Sequence, residues 1–497
     1  MWQRLALAVA ALVLIGFVQS VPLPVLDEET YLYIAEQIQP KRPYDWILPW
    51  PPYDTEDAFV FAHPPLFLWW IWLLTSWFKL GLGASKLMAA LPFQVMLGAA
   101  AAVLLPKRNR MALLLFCATP IVSLSIARGL MPDLSVSALG AAAMAFWWLG
   151  EQRKSDGLTL AAGLLIGAAI LVKYPAALLF CVPLLHAADR RRMGLCLAAG
   201  LSVWLVGELW LWTIYGRVHL FEVLVRANEI SRGPLSSRAA GVLVRLSVGA
   251  PIVLLLAVQR PQWSVASGIL GIVLWWWTAL PWALLPLMVI GASGLGSLIA
   301  AFTKSDMDSW LATWALVVLV GVIGGHNFAA PRYCLPAMLP IAVLIFRQNL
   351  RPISPLVMGL VGFSSVGLSW MIGVGERSYV KAAAELAETV TATHPPGYFS
   401  GEWTFRYTLR QAGWKFWRGE ALCDQHIAVA LQAAPAAVSE FWTPVQQWEG
   451  ALGSIRLLHA KTSTGYYAET VGQMPVMWSE GPLEQVQLWK SPSCRPQ

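Results

Sequence analysis

A long series of apolar stretches, most of them close to the length of a membrane-spanning helix, limits the fold of this chain more than any other feature. A helix needs about 20 apolar residues to cross a bilayer. Hydrophobic residues make up 57% of the 497 residues and charged residues 13%, whereas soluble domains carry about 25% charged residues. We therefore predict an all-α polytopic membrane protein. After the N-terminal stretch, the apolar stretches cover about residues 84–105, 111–128, 133–150, 157–173, 174–188, 194–215, 240–258, 264–280, 281–301, 309–326, 331–346 and 353–374.

The N-terminal 20 residues resemble a signal peptide, but no convincing small-residue cleavage site precedes Val21. We interpret them as an uncleaved first span with Arg4 on the cytoplasmic side. The net charge of +7 does not indicate nucleic-acid binding, because the basic residues form short clusters between apolar stretches. Such clusters report membrane orientation.

The tryptophan-rich stretch at 64–78 decides the predicted orientation of the helices. If it spans the membrane, the basic cluster at 107–110 lies outside. If it lies at the interface, that cluster and the basic residues of the later loops lie inside, as the positive-inside rule requires. We adopt the interfacial interpretation, which gives about 13 spans. The basic residues then placed inside are Lys107, Arg108, Arg110, Arg153, Lys154, Arg190, Arg191, Arg192, Arg260, Lys304, Arg347 and Arg351.

Charged residues are more frequent after Glu376 than before it, which predicts two domains. Residues 1–375 form the transmembrane domain, with a first outer loop at about 23–83, and residues 376–497 form a small extracytoplasmic α/β domain. In the second domain we predict helices over 378–393 and 403–411 and strands over 398–400, 426–431, 454–459 and 486–489. Cys423 and Cys494 could form a disulfide there, because that side of the membrane is oxidising. This domain could dock the acceptor or merely cap the membrane part.

The predicted outer face carries three polar segments: the loop at 23–83, the connection at 128–133 and the stretch at 215–239. Acidic residues that emerge from a first span are costly unless they are solvated, paired or functional. Asp27 and Glu28 could simply cap a short helix. Alternatively, one of the two carboxylates could face a cavity and act as a general base.

The other polar residues of this face each have an ordinary structural explanation. Asp133 could be a helix cap that pairs with Arg128, and His63 could be a packing residue. Lys173 could extend along the apolar surface to water, and Arg332 could anchor a helix end.

Taken together, these residues indicate a binding site. Cations at the outer boundary oppose the orientation bias, so something should compensate them. The phosphate of a lipid headgroup surrounded by Lys173, Arg232 and Arg332 would do so. A carboxylate base beside a phosphate held by cations is what glycosyl transfer from a lipid phosphate requires.

Five short motifs, in this order, resemble the GT-C glycosyltransferases. The resemblance covers about residues 1–375, and it is greatest to bacterial members of the protein O-mannosyltransferase family (glycosyltransferase family 39) and to the lipid A aminoarabinose transferases. No single motif is specific, but their order and their common side of the membrane are. The motifs are Asp27-Glu28-x-x-Tyr31, His63-Pro-Pro-Leu66, Met131-Pro-Asp133, Leu171-Val-Lys173-Tyr-Pro175 and Arg332-Tyr333-Cys-Leu-Pro336.

The resemblance implies an inverting enzyme of the bacterial cytoplasmic (inner) membrane that uses a polyprenyl-phosphate-linked monosaccharide on the periplasmic side. Asp27 matches the acidic catalytic position, and Glu28 completes the pair. The resemblance also implies two groups of binding residues. Those on the sugar and acceptor side are Asp133, His63 and Tyr31, and those at the donor phosphate are Lys173, Arg232, Arg332 and Tyr333.

Two departures from the family pattern leave the sugar and the acceptor open. His63 stands where the aminoarabinose transferases have lysine, and Tyr174 stands where the motif usually has glycine. The acceptor could be a lipid, a glycan or a protein. Because the donor is a monophosphate, unlike the diphosphate donors of the metal-dependent oligosaccharyltransferases, we expect no obligatory metal or other cofactor.

Two other function classes fit the same sequence less well. A transporter or flippase of an amphipathic lipid would need ionisable groups near the membrane centre, whereas here they gather at the outer boundary. Glu208, inside an apolar stretch, is the exception. A catalytically inactive relative that binds polyprenyl phosphate is the third possibility, and the intact pair of Asp27 and Glu28 argues against it.

Overall fold

The computed structural model describes a mostly helical chain with a small sheet near its C-terminal end, as predicted. The described residues are 2–46, 58–61, 63–105, 110–229, 234–278, 280–303, 306–325, 330–347, 353–420, 422–433, 435, 442–453, 455–459, 464–465, 476–478 and 480–493.

The α-helices are α1 (Trp2–Val18), α2 (Glu28–Gln37), α3 (Ala58–Phe61), α4 (Pro65–Trp72), α5 (Leu82–Leu104), α6 (Arg110–Ala118), α7 (Pro120–Ser125), α8 (Pro132–Arg153), α9 (Asp156–Ile170), α10 (Cys181–His186), α11 (Arg190–Tyr215), α12 (His219–Glu229), α13 (Leu235–Gly249), α14 (Val253–Gln259), α15 (Pro261–Thr278), α16 (Leu285–Phe302), α17 (Asp306–Gly325), α18 (Leu335–Arg347), α19 (Pro355–Thr393) and α20 (Trp403–Gln411). Short 3₁₀ helices cover Tyr174–Phe180, Trp282–Leu284 and Pro331–Cys334, and a π-helical turn covers Leu73–Trp77.

Within the described part of the chain, six helices are long and apolar enough to cross a membrane, or seven if α13 and α14 form one span. The last two helices meet at 97°, next to Pro251, which has no amide hydrogen to continue a helix. The stretch predicted at 111–128 is likewise divided, into α6 and α7, at Pro120. The protein is thus a multi-pass membrane protein, while the number of 13 spans and the interfacial position of α4 stay predictions.

Close packing of α9 against α11 fixes the position of Lys173, which follows α9. Gly163 and Gly167 of α9 face α11, where an added Cβ would overlap the backbone of Cys196 and Gly200. Glycine spaced by four residues allows two membrane helices to approach at backbone distance. Because α9 is fixed against α11 in this way, the residues that follow it, beginning with Lys173, start from a defined position.

The two ends of the helix bundle differ in charge. At one end, which we call the basic end, Arg4 donates to the Leu105 carbonyl at 2.9 Å, Arg192 donates to the Gly150 carbonyl at 3.2 Å, and Arg347 lies over the Trp148 ring. The opposite end, the site end, carries Asp27, Asp133, Lys173 and Arg332, each at a helix terminus or in the connection beside it. Arg192 and Arg347, which are among the residues predicted to lie inside, thus share one end of the bundle, while the orientation of that end in the membrane stays a prediction.

The C-terminal region continues directly from the membrane part through α19. The predicted helix at 378–393 and the last predicted span form this one helix of 39 residues, so the predicted domain boundary at 375 lies within it. The strands are β1 (Tyr398–Ser400), β2 (Lys415–Phe416), β3 (His426–Ala430), β4 (Thr443–Glu449), β5 (Ile455–Arg456), β6 (Leu458–His459), β7 (Thr464–Gly465), β8 (Met477–Trp478) and β9 (Gln485–Lys490).

The main sheet has the order β2-β1-β3-β9-β4, with β1 parallel to β2 and β3 and the other pairs antiparallel. Its apolar face packs on α19 and α20 through Phe399, Phe405 and Leu409.

Cys423 is disulfide-bonded, and Cys494, its predicted partner, lies outside the described residues.

Glu484 should make the stability of this region depend on pH. Its buried carboxyl accepts hydrogen bonds from Tyr379 Oη and from the Gln432 and Gln485 amides, and burial raises its pKa from 4.5 to about 7. Because the folded state retains this proton to higher pH than the unfolded chain, the free energy of unfolding should decrease as pH rises from about 4.5 to about 7, by on the order of 2–3 kcal/mol.

Thermal unfolding of the wild type and of Glu484→Gln between pH 5 and pH 8 measures this effect. The variant should lose most of the decrease, whereas Glu449→Gln, an exposed change in β4, should keep it. Equal slopes in the wild type and Glu484→Gln would contradict the assignment.

Candidate functional site

Four charged side chains of opposite sign alternate in a row at the site end. Arg332 Nη2 lies 2.5 Å from Asp27 Oδ2, and Arg332 Nε lies 3.4 Å from Asp133 Oδ2. The other oxygen of Asp133 accepts from Lys173 Nζ at 3.0 Å. The row therefore runs Asp27, Arg332, Asp133, Lys173, and it joins four segments of the chain that are far apart in sequence.

The local structure presents each of these side chains at a helix terminus. Asp133 follows Pro132 in the first turn of α8, Lys173 precedes the 3₁₀ helix at Tyr174–Phe180, and Arg332 lies in the 3₁₀ helix before α18. Asp27 is the residue before α2, yet its carboxylate makes no capping hydrogen bond. The carboxylate that could have capped the helix reaches Arg332 instead.

The backbone just before Asp27 has an unusual conformation. Leu26 has φ of +50°, a left-handed conformation that costs a residue with a Cβ about 1–2 kcal/mol. Residues are held in such conformations only when the surrounding structure determines them, and they are frequent at functional sites. The turn that carries Asp27 is therefore held in place by its neighbours.

Tyr333 lies beside both cations. Lys173 Nζ is 4.3 Å and the Arg332 guanidinium is 5.1 Å from the centre of its ring. An aromatic face attracts a cation by its quadrupole. The ring therefore holds the two cations next to one another, which their mutual repulsion would oppose.

Tyr31 and His63 lie next to the row. Their rings stack with centroids 5.8 Å apart, and the Tyr31 phenol interacts electrostatically with Asp27, Asp133 and Arg332. Desolvation lowers the pKa of His63 to about 3, so the imidazole is neutral at pH 7. His63 therefore adds no cation to the row.

Two cavities meet at Asp133. One has Asp133, Lys173 and Tyr333 at its polar end, and its other lining residues are apolar: Val136, Pro175, Ala176, Leu178, Leu179, Val318, Gly321, Val322 and Pro336. We call it the apolar groove. The other is lined by Arg128, Asp133, Arg332, Ser125, Met131, Val25 and Leu26.

Glu28 is directed away from these cavities. Its carboxylate is fully buried, contacts Lys86 Nζ at 2.7 Å and accepts from the Val25 amide at 3.0 Å. These partners fix the turn before α2. The structure thus brings Asp27, Asp133, Lys173, Arg332, Tyr333, Tyr31 and His63 together and places Glu28 beneath them, while its predicted role as second catalytic acid stays a prediction.

Arg128 has a different partner from the one that its sequence position suggests. It forms a buried ion pair with Glu376 of α19 and donates to the Gln19 carbonyl at 3.4 Å. The pairing with Asp133 considered above is therefore not formed. Asp133 instead contacts Lys173, which follows α9, and Arg332, which precedes α18.

The structure explains Glu208 by a buried network that the sequence did not predict. Tyr174 Oη contacts Glu208 Oε1 and His219 Nδ1, each at 2.5 Å, and the Leu220 amide donates to Glu208 Oε2 at 3.3 Å. Tyr174 follows Lys173 directly, so this network fixes the backbone beside that lysine. Two features of the sequence could have indicated this network: Glu208 is a charged residue within an apolar stretch, and Tyr174 stands where the motif of the sequence analysis usually has glycine.

Two further predictions remain open. Arg232 lies outside the described residues. Among the residues that are described, no group of three or more His, Cys, Asp or Glu side chains is arranged to hold a metal ion, and the independence of metal stays a prediction.

Comparison with known proteins gives structural matches only. No family model and no curated protein matches the chain. ArnT from Cupriavidus metallidurans in the apo state is 19% identical with a TM-score of 0.42 over 83% of this chain and 85% of that one; ArnT bound to undecaprenyl phosphate is 17% identical with a TM-score of 0.43 over 82% and 84%. The archaeal oligosaccharyltransferase AglB from Archaeoglobus fulgidus, in complex with an inhibitory peptide and a dolichol-phosphate, is 10% identical with a TM-score of 0.41 over 84% and 64%.

These matched proteins are GT-C enzymes, the class that the sequence motifs resemble. Matches with TM-scores below 0.5 do not show the activity of this chain.

Proposed function

We propose that this protein is an inverting glycosyltransferase that moves a monosaccharide from a polyprenyl-phosphate donor to a hydroxyl acceptor on the outer side of the bacterial cytoplasmic membrane. The observation that supports this most is the row of alternating charges at the polar end of the apolar groove. A lipid phosphate needs both parts, since its headgroup requires cations and its chain requires an apolar surface.

The cations would hold the donor phosphate. Lys173 and Arg332 supply hydrogen-bond donors that neutralise Asp133 and Asp27 in this structure, and a phosphate would compete for those donors. Charge develops on the phosphate oxygen as the glycosidic bond breaks, and prearranged cations stabilise it. Arg232 is proposed as a third cation from the sequence.

Asp27 is the carboxylate best placed to act as general base. Its side chain is 37% exposed, whereas Asp133 is 7% exposed and Glu28 is fully buried. In the proposed step, Asp27 takes the proton of the acceptor hydroxyl, whose oxygen bonds to the anomeric carbon. The bond from that carbon to the phosphate oxygen breaks at the same time, the lipid phosphate leaves with the electron pair, and the configuration inverts.

A transporter is the weaker interpretation. The described ionisable side chains of the row lie at helix termini rather than along the middle of spans, and Glu208 is engaged by Tyr174 and His219. No feature of the described residues indicates a binding site that opens to the two sides of the membrane in turn, as a transporter requires.

Narrowing the apolar groove should weaken donor binding. Gly321 of α17 lines it, and a Cβ there would overlap Leu178. We expect Gly321→Val to raise the KM for the donor about tenfold, because a branched side chain displaces the lipid from the groove. Gly324→Val is the matched control, since it lies on the same helix with nothing within 4 Å of an added Cβ. An equal KM in both variants would contradict a donor in this groove.

The proposed reaction can be tested directly. A strain without the protein should lack one sugar on its lipids or surface glycans and should accumulate a lipid-linked monosaccharide, both visible by mass spectrometry. The purified protein in liposomes should release polyprenyl phosphate from that donor in the presence of acceptor. Unchanged glycans together with an unchanged donor pool would reject the proposal, and movement of the donor across the membrane without cleavage would support a flippase.

A further inference from the structure

Helix α20 of the C-terminal region makes polar contacts with the turn that carries Asp27. Thr404 Oγ1 donates to the Pro24 carbonyl at 2.7 Å, three residues before Asp27. Two residues after Asp27, the carboxylate of Glu29 receives Arg406 and, at 2.5 Å, Arg410. The same helix therefore holds the chain on both sides of Asp27.

The contact after Asp27 is a buried ionic network. Glu29 and Arg406 are 0% and 1% exposed, and a charge buried to that degree is stable only when it is paired and hydrogen-bonded. Arg406 also contacts Glu402 at 2.5 Å and Thr30 Oγ1 at 2.6 Å. Because the geometry of so many partners must be met together, the network fixes the start of α2 relative to α20.

The three successive carboxylates reach three different parts of the molecule. Asp27 contacts Arg332 before α18, Glu28 contacts Lys86 of α5, and Glu29 contacts Arg406 of α20. A shift of α2 along or around its axis would break all three contacts. The contact made by α20 therefore bears on the direction of the Asp27 carboxylate.

The strained residue before Asp27 also packs against the C-terminal region. Leu26 and Val25 lie in one apolar cluster with Val380 of α19 and Trp403 of α20. A left-handed leucine relaxes unless its surroundings prevent it. The packing and the two polar contacts together supply that constraint.

We propose that α20 is a positioning element of the active site, and that the C-terminal region holds the turn at residues 24–29 so that Asp27 is directed at Arg332 and the acceptor. This inference depends on the proposed function and extends it. It gives the C-terminal region a part in the chemical step in addition to any role in acceptor docking.

A pair of isosteric substitutions on α20 tests this inference. Thr404→Val keeps the side-chain shape and removes the donor to Pro24. Thr408→Val is the matched control, because Thr408 Oγ1 bonds within the helix, to the Thr404 carbonyl. We expect Thr404→Val to lower kcat about tenfold, because the turn at residues 24–29 loses a contact that directs the Asp27 carboxylate, with the donor KM nearly unchanged. Thr408→Val should retain wild-type kcat.

A second pair of substitutions tests the same inference if Thr404→Val fails to fold. Arg410→Gln removes the more exposed member of the network and leaves Arg406 on Glu29, so the fold is retained. It should lower kcat in the same direction, whereas Lys381→Gln, which breaks an exposed pair with Glu385, should not.

Double variants separate positioning from general destabilisation. In the Asp27→Asn background, Thr404→Val should leave the residual rate nearly unchanged, because its effect acts through Asp27. A tenfold loss that persists in that background, or equal rates for Thr404→Val and Thr408→Val, would overturn the inference. If the wild type transfers no sugar, the proposed function fails instead, so the two failures are distinguishable.

Discussion

Replacing Asp27 with asparagine is expected to lower kcat about a thousandfold or more, which is the scale of general-base catalysis together with the loss of a correctly placed charge. The change keeps the size of the side chain. It also leaves Arg332 with Asp133 at 3.4 Å, so no cation becomes unpaired and the fold should persist. The measurement is transfer from a polyprenyl-phosphate sugar, labelled in the sugar, with the protein in liposomes.

Asp45→Asn is a suitable control for that experiment. Asp45 lies in the same loop, which we predict to be on the outer side, and pairs with Arg42 on the surface. The control should retain activity within about twofold, because exposed ion pairs contribute little. Near-wild-type turnover by Asp27→Asn would remove Asp27 from the mechanism and would direct attention to Asp133.

Replacing Lys173 with methionine is expected to lower kcat/KM about a hundredfold. The side chain keeps its length but loses the cation that we assign to the leaving phosphate, and losing one such donor costs about 10²–10³ in rate. Asp133 keeps Arg332 as a partner, so the carboxylate is not left without compensation. Lys173→Arg should recover part of the activity because the charge is retained, although the geometry of the donors differs.

Steady-state kinetics with varied donor concentration measure this loss. Lys381→Met, in an exposed pair on α19, is the control and should behave as the wild type. A normal kcat/KM for Lys173→Met would show that the donor phosphate is held elsewhere, and Arg232 would then be the next residue to test.

The three acidic residues at the start of α2 show how far the sequence could predict the site. Their number and their position after a first span indicated a functional or capping cluster. The sequence could not say which carboxylate faces the cavity, because successive residues of a helix point about 100° apart and their directions depend on what packs around the helix. The fold assigns Asp27 to the site, Glu28 to Lys86 and Glu29 to α20.

Arg128 and Glu208 show the opposite situation, in which sequence neighbourhood was a poor guide. Arg128 lies near Asp133 in the sequence but pairs with Glu376, because α19 packs beside α7 and brings that carboxylate into contact with it. Glu208 looked like an isolated charge in an apolar stretch. Its partners, Tyr174 and His219, come from the ends of other helices.

The sequence by itself determined that this chain crosses a membrane many times, because a lipid solvent allows only long apolar helices and leaves charge for functional and orienting positions. It also predicted that Asp27, Asp133, Lys173 and Arg332 share one face. Only the tertiary structure decided how those residues pair: Asp27 and Arg332 are 305 positions apart, and contacts of that range depend on helix packing that local sequence patterns do not encode. The connection between α20 and the turn at Asp27 is of the same kind, since a buried ion pair is defined by the two elements that meet.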